Sequence, residues 1–176
     1  MDRILAEGQR ISYSEEDMRR LCEGKVKVVP YSHAKHAHHL DELLGPHRAA
    51  IILYETEPSY GHWCALFEVS PSMLEFFDSY GHRPDSQLSM VPAPFRPQSG
   101  QDYPYLSDLI KDGGYKNIIY NDVKLQRTAP GTSTCGRWCA LRVCFRNVPL
   151  KTFQGWFHRQ RLNPDQYVTA LTMFNK

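Results

Sequence analysis

The apolar positions along the chain follow two different periods. Ala49-Ala50-Ile51-Ile52-Leu53-Tyr54 is an unbroken apolar run of strand length, His62 to Val69 is apolar on both faces, and Met73-Leu74-Glu75-Phe76-Phe77 completes a set of three. Turn-forming residues separate them: Glu57-Pro58-Ser59-Tyr60-Gly61 and Pro71-Ser72. Three consecutive strands joined by short turns predict a largely antiparallel sheet, with His62–Val69 as its buried central strand. Lys25 to Pro30 alternates and ends in proline, which suits an edge strand. Asn117–Tyr120 and Val123–Gln126 predict a fourth strand, interrupted by Asn121-Asp122.

Elsewhere the spacing is three and four. Ser14 and Asp17 form a near match to a capping box ahead of Met18, Leu21 and Cys22, and Gly24 ends that helix. Leu40, Leu43 and Leu44 predict a short helix closing at Gly45-Pro46. Tyr105–Lys111 and Pro149–Phe157 are further short helices. Asn163-Pro164-Asp165 supplies an N-cap, an N1 proline and an acid for a last helix packed through Val168, Leu171, Thr172 and Phe174. Residues 1–11 are expected to be only partly ordered. The stretch from Gly81 to Gly114 carries Pro84, Pro92, Pro94, Pro97 and Pro104 and predicts a long surface connection. No internal repeat or linker divides the chain, so one α+β domain over residues 1–176 is expected.

Composition narrows the class. The chain has 176 residues, 41% of them hydrophobic and 23% charged, which argues against disorder. A net charge of +2 is too small to point to nucleic acid by itself. Arg137, Arg142, Arg146, Arg159 and Arg161 read better as a solvated helical face than as a nucleic-acid surface. No apolar run is long enough for a bilayer, and the first residues lack the apolar core of a signal peptide. Five scattered cysteines do not form a disulfide framework, so a reducing intracellular compartment is expected. His33, His36, His38 and His39 match no zinc template and read as a solvated loop or helix face. Gly113-Gly114 lacks the residues of a phosphate loop and reads as a turn. Cofactors and metals are not called for.

The candidate chemistry lies at element ends. Thr134 is placed to cap a helix that begins at Cys135 and runs through Trp138, Leu141, Cys144 and Phe145. A thiol at a helix N-terminus meets free N–H groups and the positive end of the dipole, which favour the thiolate. Gly136 would permit close approach of a backbone or substrate. Cys139, one turn on, could oxidise with Cys135, although a small buried hydrophobe is the better reading. His62 opens one strand and Asp78 ends the next, so a hairpin brings them to one sheet edge. There the carboxylate could orient the imidazole, leaving its other nitrogen for a thiol proton. Glu75, Asp85 and Asp122 are weaker alternatives to Asp78. Gln126, ahead of the loop to Cys135, could offer its amide to an oxyanion beside the Cys135 N–H.

Gly61-His62-Trp63, Phe77-Asp78-Ser79-Tyr80-Gly81, Gln126 and Cys135-Gly136 resemble the motifs of the adenain and ubiquitin-like-protein-specific cysteine protease superfamily, over roughly residues 12–174. The order His, Asp, Gln, Cys is the family's, and the interval from Gln126 to Cys135 is a few residues longer than usual. The resemblance implies a papain-like fold, a mostly antiparallel sheet flanked by helices. It also implies His62 as general base, Asp78 as its orienter, Gln126 as oxyanion donor and Cys135 as nucleophile. Trp63 would help wall a narrow tunnel for a substrate Gly-Gly. The compact chain looks more like the viral processing branch, which cleaves structural precursors, than like a SUMO or ubiquitin-like isopeptidase. A monomer acting on protein substrates, without membrane or cofactor, follows from that. A non-catalytic module holding a ubiquitin-like tail or nucleic acid is the alternative from another class.

Overall fold

A computed structural model describes residues 2–158 and 161–173. Its centre is a five-stranded sheet, β1 (Lys27–Pro30), β2 (Ala49–Glu57), β3 (Tyr60–Ser70), β4 (Met73–Phe77) and β5 (Asn117–Tyr120), with neighbours in chain order. The three inner strands are antiparallel as expected, but β1 runs parallel to β2 and β5 parallel to β4. The sheet is therefore mixed. The difference is topological: both edges are reached by crossovers, which no hairpin periodicity reveals.

The first crossover holds helices α3 (Ser32–His36) and α4 (Leu40–Leu44), and the last holds a 3-10 turn (Ser86–Met90) and α5 (Tyr105–Asp112). These cover one face of the sheet through Tyr31, Leu43, Leu44, Leu106 and Ile110. On the other face lie α2 (Glu15–Leu21), α6 (Cys135–Cys144), α7 (Leu150–Gly155) and α8 (Pro164–Thr172). Successive residues of β3 point to opposite faces: Trp63, Ala65 and Phe67 join the α6 core, Cys64 and Leu66 the α5 core. Cover on both sides explains why β2 and β3 are apolar without alternation.

Several local expectations are met. Ser14 and Asp17 form a reciprocal capping box, and Asn163 forms another with Gln166 behind Pro164. Gly24, at φ +72°, returns its N–H to Arg19 O at 2.8 Å and ends α2. Others are corrected. Residues Asp2–Arg10 form α1, which packs on α8 with Gly8 against Thr169 and buries Leu5; one leucine and a glycine are too little apolar pattern to signal a helix. Val123–Gln126 is not a strand, because Asn121 turns the chain and the Leu125 and Gln126 N–H groups both converge on Ser79 O. Thr134 stands at the N-cap position of α6, but its hydroxyl donates to Asp165 Oδ1 at 2.6 Å rather than to the helix.

The arginines do not make a solvated face. Arg137 and Arg142 are buried; Arg142 forms a bidentate pair with Glu75 at 2.7 and 2.8 Å, and Arg137 lies over the Tyr13 ring. Arg161 is exposed, while Arg159 and Phe174 lie outside the described residues. His33, His36, His38 and His39 are all exposed.

Candidate active site

The site gathers where β3 begins, β4 ends and α6 starts. Gly61 makes the entry to β3 possible, since a Cβ there would lie 1.9 Å from Tyr54 O. It pairs with Glu55, beside the register shift between Glu55 and Glu57. Pairing of Ala65 with Phe77 carries Asp78 to within reach of His62 at the same sheet edge. The His62 Nε2–H donates to Asp78 Oδ1 at 2.8 Å, and both residues are buried.

Asp78 is held from four sides. Its Oδ1 also accepts the Tyr80 N–H at 2.8 Å, and its Oδ2 accepts Gln87 Nε2 at 2.5 Å. Its carbonyl accepts Asn121 Nδ2 at 2.5 Å. Burial pushes the carboxyl up, yet the bonds from His62, Tyr80 and Gln87 outweigh it and leave it below the ordinary value. The imidazole is stacked on the Tyr80 ring, with centroids 4.7 Å apart and planes 19° from parallel.

Cys135 is the first residue of α6 and half-buried. His62 Nε2 is committed to Asp78, so Nδ1 is the ring nitrogen left for the Cys135 sulfur. Burial raises the thiol, but the imidazole and the N–H groups of Trp63 and Gly136 lower it further, and the net direction is down. For His62 burial acts downward, while Asp78 and Cys135 raise the imidazole to about 10. Both directions favour the same state, a thiolate against an imidazolium.

Gln126 is buried beside this pair. Its Oε1 accepts Ser79 Oγ at 2.7 Å and its Nε2 donates to Tyr80 Oη at 3.3 Å. It lines a cavity of about 200 Å³ with His62, Tyr80, Ser133 and Cys135. Cys135 also lines a second cavity, of about 300 Å³, with Tyr13, Leu53, Glu55, Trp63 and Gly136. Cys135 thus lines both recesses, together with Ser12, Tyr60, Gly61 and Ser133. At Gly136 a Cβ would come within 3.1 Å of Tyr13 and 3.3 Å of Met18 Sδ, so the close approach made by this glycine is to α2.

The long interval before Cys135 is pinned by Asp165 in the first turn of α8. This buried carboxylate accepts the Arg127 N–H at 2.9 Å, Thr134 Oγ1 at 2.6 Å and Trp138 Nε1 at 3.2 Å. Ser133 N–H adds a bond to Gln9 O at 2.7 Å.

The weaker candidates are engaged elsewhere. Glu75 pairs with Arg142, Asp122 with Lys151, and Asp85 accepts the Tyr31 and Tyr54 hydroxyls. Cys139 is buried, with its thiol bonded to Trp63 O at 3.2 Å. Among the described residues the metal-ligating side chains that converge are His62, Cys64 and Asp78, within 4.8 Å. Burial drives the Cys64 thiol up, which opposes the thiolate a metal would need.

Sequence reasoning missed Gln87, Ser79 and Asp165 as supports. Gln87 lies in the proline-rich connection, where no periodicity marks a buried side. Asp165 reads as an ordinary first-turn acid, and only the fold turns it toward α6.

Comparisons with known proteins give the following. No family model matches the chain. It is 34% identical over 169 residues to the uncharacterized protein V9 of the Sputnik virophage, an alignment covering 94% of this chain and 96% of V9. The chain belongs to the family of that virophage protein. Among solved structures, the crystal structure of the selenomethionine ASFV pS273R protease overlays 94% of this chain and 68% of its own at a TM-score of 0.49 and 13% identity.

Proposed function

We propose that the chain is a viral cysteine endopeptidase of the papain-like, adenain and ubiquitin-like-protease type, cleaving precursor polypeptides after small residues such as Gly-Gly. The observation that carries this reading is the grouping of Cys135, His62 and Asp78, with the cysteine at a helix start and lining two cavities. Membership in a virophage protein family supports the viral part of this reading. The recess beside Trp63 and Tyr13 is where the residues before the scissile bond would lie.

In this mechanism the Cys135 thiolate attacks the scissile carbonyl carbon, and the carbonyl π electrons move onto oxygen. Gln126 Nε2 and the Cys135 backbone N–H stabilise that oxyanion. Collapse expels the amine, which takes the proton from His62 and leaves a thioester on Cys135. Neutral His62 then accepts a proton from water as the water attacks the thioester. The second collapse releases the carboxylic acid and restores the ion pair. Asp78 keeps the imidazole in one orientation throughout.

The test is a panel of Gly-Gly peptides beside ubiquitin-like C-terminal electrophiles, run on wild type, Cys135→Ala and His62→Ala under reducing conditions. Peptide cleavage lost in both variants supports the processing protease. Labelling of Cys135 by a full-length modifier probe alone would make it a deconjugating isopeptidase. No reaction with either set would overturn the protease assignment in favour of a binding module.

A further inference from the structure

The helix that begins at Cys135 ends at Cys144, and a second thiol waits there. Cys144 is exposed, and its Sγ lies 3.7 Å from Sγ of Cys22, the buried residue that closes α2. The two sulfurs also tie the helix ends together, Cys144 donating to Leu21 O at 3.3 Å and Cys22 to Ala140 O at 3.6 Å. In front of them opens a recess of about 330 Å³, bordered by Lys25, Arg146, Glu23 and Asn147. Lys25 is balanced by Glu23 at 2.8 Å, so Arg146, whose Nη1 donates to the neutral His47 O at 3.2 Å, gives the rim its net positive charge beside the exposed Cys144.

We propose that Cys144 and Cys22 are a redox-active dithiol, a site where a small anionic disulfide such as oxidised glutathione is reduced and the two sulfurs are joined. The remaining cysteines offer no such pair: Cys64 and Cys139 are buried in the core, and Cys135 stands at the opposite end of α6. The roles within the pair are unequal. Cys144 is exposed and Cys22 buried, so an incoming disulfide reaches the Cys144 sulfur first. Cys144 is then the attacking thiolate and Cys22 the resolving thiol.

Cys144 attacks one sulfur of the small disulfide, forming a mixed disulfide and releasing one small thiolate. Cys22 gives up its proton and attacks the Cys144 sulfur, which displaces the second small thiolate. Two protein thiols are oxidised by two electrons, and one small disulfide is reduced to two thiols. A disulfide bond of about 2.05 Å requires the sulfurs to close by less than ~2 Å. Both stand at helix ends, where side-chain rotation and small backbone shifts can supply this. The bond would link residues 122 apart and staple α2, which borders the second of the Cys135 cavities, to the helix that carries Cys135.

The test uses the full chain with Cys135→Ala, so that the proposed nucleophile does not react, incubated with oxidised glutathione. Free thiols are then blocked and the digest is mapped by mass spectrometry. The expected products are a Cys22–Cys144 cross-linked peptide and a thermal midpoint raised by several degrees, both reversed by dithiothreitol. Adding Cys22→Ser should halt the reaction at a stable glutathione adduct on Cys144, and adding Cys144→Ser should leave Cys22 unmodified. A free Cys144 thiol after oxidation, or a glutathione adduct that persists on Cys144 with Cys22 present, would overturn the proposal.

Discussion

Ser79 Oγ donates to Gln126 Oε1 at 2.7 Å, and the Ser79 carbonyl accepts the N–H groups of both Leu125 and Gln126. Ser79, just past the end of β4, therefore fixes the backbone and the amide of a residue 47 positions later. With its oxygen engaged, Gln126 has only its Nε2 to present toward the cavity that holds Cys135. Ser79 thus sets the orientation of the proposed oxyanion donor without reaching substrate itself.

Loss of that lock should appear in turnover rather than binding. Gln126→Ala should lower kcat by about 10²- to 10³-fold, the usual cost of one oxyanion donor. Ser79→Ala should lower kcat roughly 10-fold with KM little changed, because the amide is freed rather than removed. In the double variant Ser79→Ala should add nothing to Gln126→Ala. Steady-state kinetics on a cleaved Gly-Gly peptide measure all three, and additive losses would separate Ser79 from Gln126.

The pH dependence follows from two opposite shifts. Cys135 lies below its ordinary value of 9.0, so the thiolate forms as pH rises through that lowered value. His62 is raised to about 10, so the imidazolium is lost as pH rises through about 10. The reactive ion pair should exist between the two, giving an acid limb below the ordinary thiol range and an alkaline limb near 10. Alkylation of Cys135 by iodoacetamide, followed by site-resolved mass spectrometry, should show the first limb. In His62→Ala that limb should move upward, since the imidazolium that lowers the thiol is gone.

Much of this arrangement is written in local patterns. The strand runs and turn residues place His62 and Asp78 at adjacent element ends, and the polar loop before Trp138 and Leu141 places Cys135 at a helix start. What local pattern does not carry is the long-range polar support. Gln87, Asn121 and Asp165 become buried donors or acceptors only when distant segments close over them. The parallel edges β1 and β5 are equally hidden, since a crossover leaves no period in the sequence. Arg142 shows the same limit from the other side: its charge suggests solvent, yet Glu75 meets it inside the core.

Gln87 offers a test of how far Asp78 depends on such support. Its Nε2 donates to the carboxylate oxygen that His62 does not use. Gln87→Ala should leave that buried oxygen short of a partner, a cost of about 1–3 kcal/mol in stability. Gln87→Glu should do more to the chemistry, because two adjacent buried carboxyl groups cannot both ionise readily. The Asp78 carboxyl should then rise, its hold on the imidazolium weaken, and the acid limb of Cys135 alkylation move upward. An unchanged alkylation profile in Gln87→Glu would confine Gln87 to a packing role.

The buried pair between Arg142 and Glu75 should matter to stability and little to Cys135. Both side chains are almost wholly inaccessible, and the guanidinium also donates to Phe145 O at 2.7 Å and Val148 O at 2.9 Å. Burial raises the Glu75 carboxyl despite Arg142, which shows how much of the attraction is offset by desolvation. Removing one partner leaves a buried charge with no counterion, so Glu75→Ala should destabilise the fold by about 3–5 kcal/mol. At roughly 2–4 °C per kcal/mol for a chain of this size, the thermal midpoint should fall visibly. Glu75→Leu combined with Arg142→Met removes both charges and keeps the volume, and it should recover part of the loss. Recovery should stay incomplete, because Phe145 O and Val148 O lose their donor. Thermal unfolding of the single and double variants measures this, and equal losses in both would show that the carbonyl contacts, rather than the ion pair, hold the turn after α6.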